Sequence, residues 1–337
     1  MKPVVCLLPA VCLVVFPAVA QVKITAGPEK IPVEINGKPF TDFYIAGKEV
    51  AKPYLWPLRA ASGTYVTRMW PMEKTAEEFD TQTGFALVNG QSTGKVPDHP
   101  HQRGLWFAHA KVNGLDFWNI APLDQPPYNR PDRGKIVLHK VGAVQGGKEK
   151  GTIAASFDWT NKQGDLLLTE SRVMTFYANP DLRIVDFDIT LTAAQKVVFG
   201  DEKDGVFGLR LRPILQEDKG TGHISNADGQ AGEKQVWGKP SNWCDYSGEI
   251  HGEKVGIAIL DNPANPGHPV RWHVRAYGLF AANPFGQATF TNDKSQEHEM
   301  TLEPGKSLRY RYRVIIHPGD AASAGIAALW DKYQSQQ

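Results

Sequence analysis

Apolar residues recur at every second position along most of the chain, in short runs separated by Gly, Asn, Asp and Pro. Such runs cover residues 136–144, 152–159, 166–177, 182–192, 206–211, 255–260 and 308–316. Arg183-Ile184-Val185-Asp186-Phe187-Asp188-Ile189-Thr190-Leu191 is the clearest alternation, as expected of a sheet with one wet face. Val33-Glu34-Ile35-Asn36-Gly37-Lys38-Pro39-Phe40 places Asn-Gly between two strands, a hairpin signal because both turn positions want φ > 0. One segment has helical spacing: Asp320 can cap residues 321–334, where Ile326, Leu329, Trp330 and Tyr333 fall on one side. Many short strands with no βαβ rhythm predict an all-β fold, a large antiparallel β-sandwich. The short C-terminal helix should pack on it as a lid. The Pro-rich stretch 121–132 interrupts the pattern and is a candidate loop at a site entrance.

The first twenty residues break this pattern. Lys2 precedes an apolar run that ends in Ala18-Val19-Ala20, the three parts of a cleavable secretory signal. Pro9 and Pro17 interrupt the run, which is shorter than the roughly 20 residues a bilayer span needs. The expected organisation is a signal peptide over residues 1–20 and a single β-sandwich domain over 21–337, periplasmic or secreted. Cys6 and Cys12 would leave with the signal, so Cys244 alone remains and no internal disulfide can form. The formal net charge is +1, and no Lys/Arg run stands out. Nucleic-acid partners and anionic membranes therefore lack their electrostatic footprint.

Polar chemistry concentrates in three stretches. Residues 98–118 hold His99, His101, Arg103, Trp106, His109, Asn113, Asp116 and Trp118. With a strand over 105–112 and alternation in its approach, His99, His101 and Arg103 would share a face, and His109 could join them. Residues 271–286 place Arg271, His273, Arg275 and Tyr277 on one alternating face, followed by Asn283. A buried face does not hold such charges unpaired, so this one should line a cleft or the surface. Residues 200–212 add Asp201 and Glu202 at a loop-to-strand junction, then Arg210 and Arg212. These clusters admit acid–base catalysis, a divalent metal on His99, His101 and His109 or Asp116, or histidines that only bond loop backbone. Trp70, Trp106 and Trp118 beside polar groups suit sugar rings, and equally suit a core. The chain has no Gly-x-Gly-x-x-Gly, P-loop, His-Glu-x-x-His or Gly-x-Ser-x-Gly.

His99-Pro100-His101-Gln102-Arg103-Gly104 and Lys111-Val112-Asn113-Gly114-Leu115-Asp116-Phe117-Trp118 resemble the signature of a secreted bacterial family labelled PmoA. Gly200-Asp201 with Gly205, Trp243-Cys244-Asp245-Tyr246-Ser247-Gly248, Trp272-His273, Tyr277-Gly278-Leu279 and Asn283-Pro284-Phe285-Gly286 extend the resemblance over most of residues 21–337. The family label implies a methane oxygenase. The outline implied is a galactose-mutarotase-like supersandwich, an architecture that mostly acts on carbohydrates. Gln102 stands where a third histidine is common in that family.

Together these features lead to an expected exported carbohydrate-active enzyme, a hydrolase, lyase or epimerase. Its expected catalytic residues are His101 and His273 as acid and base, with His99, His109, Arg103 and Asp201. Trp106, Trp118, Asn113, Arg275, Tyr277, Asn283 and Arg210 are the expected substrate contacts. The expected partner is a small molecule or oligosaccharide. No cofactor is expected, a divalent metal being the lesser alternative. A non-catalytic sugar-binding module and a metal-dependent oxygenase are the competing classes.

Overall fold

The structure, a computed structural model, describes residues 21–122 and 129–335. The expected signal and the middle of the 121–132 loop lie outside the described residues.

Two eight-stranded open sheets dominate the described residues, beside two small two-stranded ones, and every strand pair in the large sheets is antiparallel. The first sheet runs, edge to edge, Val22–Ile24, Lys30–Ile35, Lys38–Tyr44, Tyr54–Trp56, Leu105–His109, Gly205–Arg210, Leu279–Asn283 and Arg271–Val274. The second runs His223–Asn226, Trp243–Ile250, Glu253–Asp261, Ser307–Pro318, Arg183–Ala193, Leu166–Tyr177, Lys150–Thr160 and Lys135–Gln145. The alternating runs are the strands of this all-β sandwich, within a residue or two at each end. Asn36 and Gly37 have φ of 55° and 74°, the left-handed pair a tight hairpin needs.

The sheets meet through aromatic side chains. Phe107 packs on Trp159 and Tyr310, Phe207 on Phe187 and Tyr312, and Phe43 on Phe157. Within this core lies a charged pair. Glu170 and Arg172 occupy two inward positions of one strand, at 0% and 2% exposure. Glu170 accepts hydrogen bonds from Arg172 Nε at 2.7 Å and Trp159 Nε1 at 2.9 Å. The guanidinium lies over the rings of Phe43 and Phe157.

The C-terminal helix covers Ile326–Gln334 and starts later than its sequence spacing suggests. Asp320 instead holds a turn, accepting from the Ser323 amide, and left-handed Gly325 delays the helix. Ile326 and Tyr333 pack on Trp243, Leu260 and Ile315, on the outer face of the second sheet. Among the described residues, no helix is long and apolar enough to cross a membrane.

Breaking a buried ion pair leaves one charge uncompensated, whereas replacing both members need not. Glu170→Ala should therefore cost about 3–5 kcal/mol, and Glu170→Leu with Arg172→Met far less. Urea unfolding of the three proteins checks this; equal losses for the single and double variants would refute it.

Candidate functional site

Directly paired residues of a sheet share a face. Since Phe107 points into the core, its neighbour Trp106 points outward. So do its cross-strand partners Tyr54 and Gly208, and, beyond them, Tyr44, Ala281 and His273. Arg210, two residues on from Gly208, joins the same outer face. At Gly208 a Cβ would lie 2.5 Å from Trp118 and 2.8 Å from Trp106, so only glycine lets the two indoles meet there. Their rings pack at 4.9 Å, and both are buried.

The approach to the Leu105–His109 strand is a turn and not the extended segment its alternation suggests. The Gln102 amide donates to the His99 carbonyl at 3.0 Å, and His99 is left-handed at φ 51°. His99, His101 and Arg103 consequently do not share a face. The His99 ring is substantially exposed, with 39% of the side chain accessible, and stacks parallel on Tyr277 with centroids 5.5 Å apart. His101 is buried and meets His99 edge-on at 5.5 Å. Burial, then the Lys52 charge, holds His101 neutral. Arg103 turns the other way and donates to the Glu49 carbonyl at 2.7 Å.

Two buried clamps set this turn. Lys52, fully enclosed, donates to the carbonyls of His101 (2.9 Å), Trp118 (2.7 Å) and Ile120 (3.1 Å). It thereby ties the histidine turn to the turn carrying Trp118. On the other side, Arg68 donates to the carbonyls of Asp98 (2.9 Å) and His99 (2.8 Å). Arg210 bonds Gln102, and Asp98 at 3.0 Å. The Asp98 carboxylate receives Arg68, Arg210 and His99 Nδ1, the last at 3.0 Å. Burial opposes its charge, but His99 and the two guanidiniums beside it prevail and keep it far below the usual carboxylate range.

Two cavities open on this face. A cavity of about 140 Å³ is lined by Arg68, Trp70, Glu78, Asp98, Arg210 and Tyr277, among others. Glu78 is almost wholly buried, and burial raises it to about 7 although it accepts from the Met69 and Trp70 amides. A larger cavity of about 560 Å³ has an aromatic wall of Tyr44, Tyr54 and Trp56, with Pro71, Met72 and Arg103 also lining it.

The remaining expected site residues are dispersed. His109 points into the core, opposite to His273, because it sits at the parity of Phe107. Its Nε2 donates to the Gly200 carbonyl at 2.8 Å, and its ring packs on Phe285. Asp201 accepts from the amides of Gln287 and His298, so it organises a loop and helix start. Asn113 bridges Lys196 and Val198 at an exposed turn. Asn283 bonds the Glu202 and Lys203 carbonyls. Trp106 and Trp118 are interior, and Asp116 caps its own turn at the Trp118 and Asn119 amides. His273 is buried, with Trp237 Nε1 donating to its Nδ1 at 3.0 Å and Asp204 3.6 Å from its Nε2. Burial lowers it to about 3. Arg275 pairs with Glu233 in the turn after the Arg271–Val274 strand. The alternative metal triad is split, since His109 lies on the far side of the sheet. Among the described residues, no three His, Cys, Asp or Glu side chains are grouped to hold a metal.

Sequence reasoning missed Lys52, Arg68, Glu78, Asp98 and the Tyr44–Tyr54–Trp56 wall. Only Asp98 carried a signal, as a carboxylate next to His99. The others are scattered over residues 44–78 and come together through tertiary packing alone.

Residues 30–331 match the model of the family described as "Family of unknown function (DUF6807)". The chain belongs to that family. No curated protein matches it. Among solved structures it is similar to an α-galactosidase from Lactobacillus brevis at 9% identity and a TM-score of 0.38, covering 89% of this chain and 40% of that one. The chain thus spans well under half the length of that protein. A putative aldose 1-epimerase from Klebsiella pneumoniae is matched at 10% identity, over 94% of this chain and 88% of that one, with a TM-score of 0.39. A galactose mutarotase-like protein from Lactobacillus casei is matched at 7% identity, over 88% and 100%, with a TM-score of 0.37. At these scores the likenesses carry no information about substrate.

His109 offers a pH test of its core placement. Burial lowers it to about 4, against the pull of the Gly200 carbonyl, from an ordinary 6.5. The unfolded chain therefore takes up this proton first, and stability falls as pH drops from about 6.5 towards 4. His109→Gln keeps a donor for Gly200 and should flatten the pH slope of stability in that window by up to about 1.4 kcal/mol per pH unit. Urea unfolding at pH 7, 6 and 5 measures the slope; an unchanged slope would contradict a buried neutral imidazole.

Proposed function

We propose that this protein is an exported carbohydrate-active enzyme in which His99, backed by Asp98, transfers the proton. The observation that carries this reading is the 3.0 Å pair between Asp98 Oδ1 and His99 Nδ1, beside a cavity that Asp98 and Tyr277 line. A carboxylate that stays ionised holds the proton on Nδ1 and leaves Nε2 as the working base or acid. His99 is the exposed imidazole among the four expected histidines. His101 and His273, expected as acid and base, are buried, and burial keeps both neutral.

Several features support a sugar ligand. Trp70 and Tyr277 give the cavity aromatic faces, while Glu78, Asp98, Arg68 and Arg210 give it hydrogen-bonding edges. This mix of ring faces and convergent polar groups suits pyranose rings. Hydrolysis needs the linkage oxygen protonated, and elimination and epimerisation need a proton moved at a sugar carbon or hydroxyl; an imidazole can carry that proton, with a second group or water completing the step. Export is supported by the charged, apolar and small-residue parts of residues 1–20.

The test begins with a turnover screen over saccharides and glycosides. On a substrate so found, His99→Gln should lower kcat by about 10²–10⁴, the usual worth of a positioned acid or base, with little change in KM. Full turnover by His99→Gln would rule out the assignment. Binding without product after long incubation would make the protein a sugar-binding module instead.

A further inference from the structure

The two cavities share a wall. Trp70 lines the smaller cavity, while the next two residues, Pro71 and Met72, line the larger. Asp98 lines the smaller, and Arg103, at the other end of the same turn, lines the larger. Arg68 joins the two sides. Its guanidinium lies 4.9 Å from the Trp70 ring, and its carbonyl accepts from Trp56 Nε1 at 3.0 Å. His99 belongs to this dividing turn.

The larger cavity has the composition of a ring-binding trough. Tyr44 and Tyr54 stack at 5.0 Å with planes 7° apart, and Trp56 lies 5.9 Å from Tyr44. Polar groups edge this wall. Arg103 lines the cavity beside Tyr54, and Lys30 Nζ lies 5.6 Å from the centre of the Tyr44 ring. Glu29, Lys48 and Glu49 complete the rim. None of these aromatic residues takes part in the Asp98–His99 pair, so the trough is a separate feature of the face.

We infer that the Tyr44–Tyr54–Trp56 trough is a second sugar subsite, and that the ligand is an oligosaccharide with one ring in each cavity and its linkage over the His99 turn. This rests on the carbohydrate reading above and extends it from a single ring to a chain. Stacking on half-buried Tyr44, backed by buried Tyr54 and Trp56, holds the ring in the trough, while the charged cavity holds its neighbour. A monosaccharide would occupy the charged cavity alone.

A glycan array spanning mono- to hexasaccharides, followed by calorimetry on the best binder and its constituent monosaccharide, tests the inference. The oligosaccharide should bind at least tenfold more tightly than the monosaccharide. Tyr44→Ala, at a half-buried position, should remove about three- to tenfold of that gain, as expected for one stacking partner, and leave monosaccharide affinity unchanged. Ala46→Trp, which fills the trough from another half-buried position, should do the same without deleting a packing aromatic. Equal affinity for one ring and many, or equal losses for both ligands in both variants, would overturn the subsite and leave the His99 site standing. Absence of any saccharide binding would overturn the carbohydrate reading and the subsite with it.

Discussion

A single carboxylate, Asp98, stands between two buried guanidiniums, and the geometry of the candidate site follows from that. Arg68 and Arg210 are 4% and 2% exposed, and buried cations are costly unless paired and hydrogen-bonded. Asp98 can neutralise only one of them. The other charge is met by oxygens of the same turn, the carbonyls of Asp98, His99 and Gln102 and the Gln102 side chain. Satisfying both arginines therefore fixes the course of residues 98–102. It also places His99 against Asp98 on one side and Tyr277 on the other. Lys52 repeats the device from below, with three carbonyls and no carboxylate, and binds the turn to the Trp118 loop.

The sandwich provides the platform for this arrangement. Aromatic side chains between the sheets fix which face of each strand looks inward, and so fix that Trp106, Gly208, Arg210 and His273 look outward. The same parity sends His109 inward, which separates it from His99 although only nine residues of chain lie between them. The arginine and lysine clamps and the aromatic wall then separate the two cavities beside the His99 turn. The division is made by ordinary turns and not by a separate domain.

Much of the fold was legible because alternation is a local property. The strand over 166–177 appears with the expected ends, and the Asn36-Gly37 hairpin has both residues left-handed. The helix start was misplaced because Asp320 caps a turn that Gly325 ends before the helix begins. The site was less legible. His99-Pro100-His101-Gln102-Arg103 alternates like a strand, but the arginine and lysine clamps impose a turn that no local pattern shows. Tyr44, Trp56, Arg68 and Glu78 are far apart in sequence, and each is unremarkable by itself. Arg275 and Tyr277 look coplanar with His273 by spacing, yet the strand ends at Val274 and they belong to its turn.

The most direct test of the account is the tautomer of His99, read by long-range ¹⁵N–¹H correlation with and without a saccharide ligand. A proton on Nδ1, facing Asp98, and an Nε2 resonance that moves when the ligand binds are expected. A ring protonated at Nε2 alone, or one whose nitrogens ignore a bound saccharide, would contradict the account.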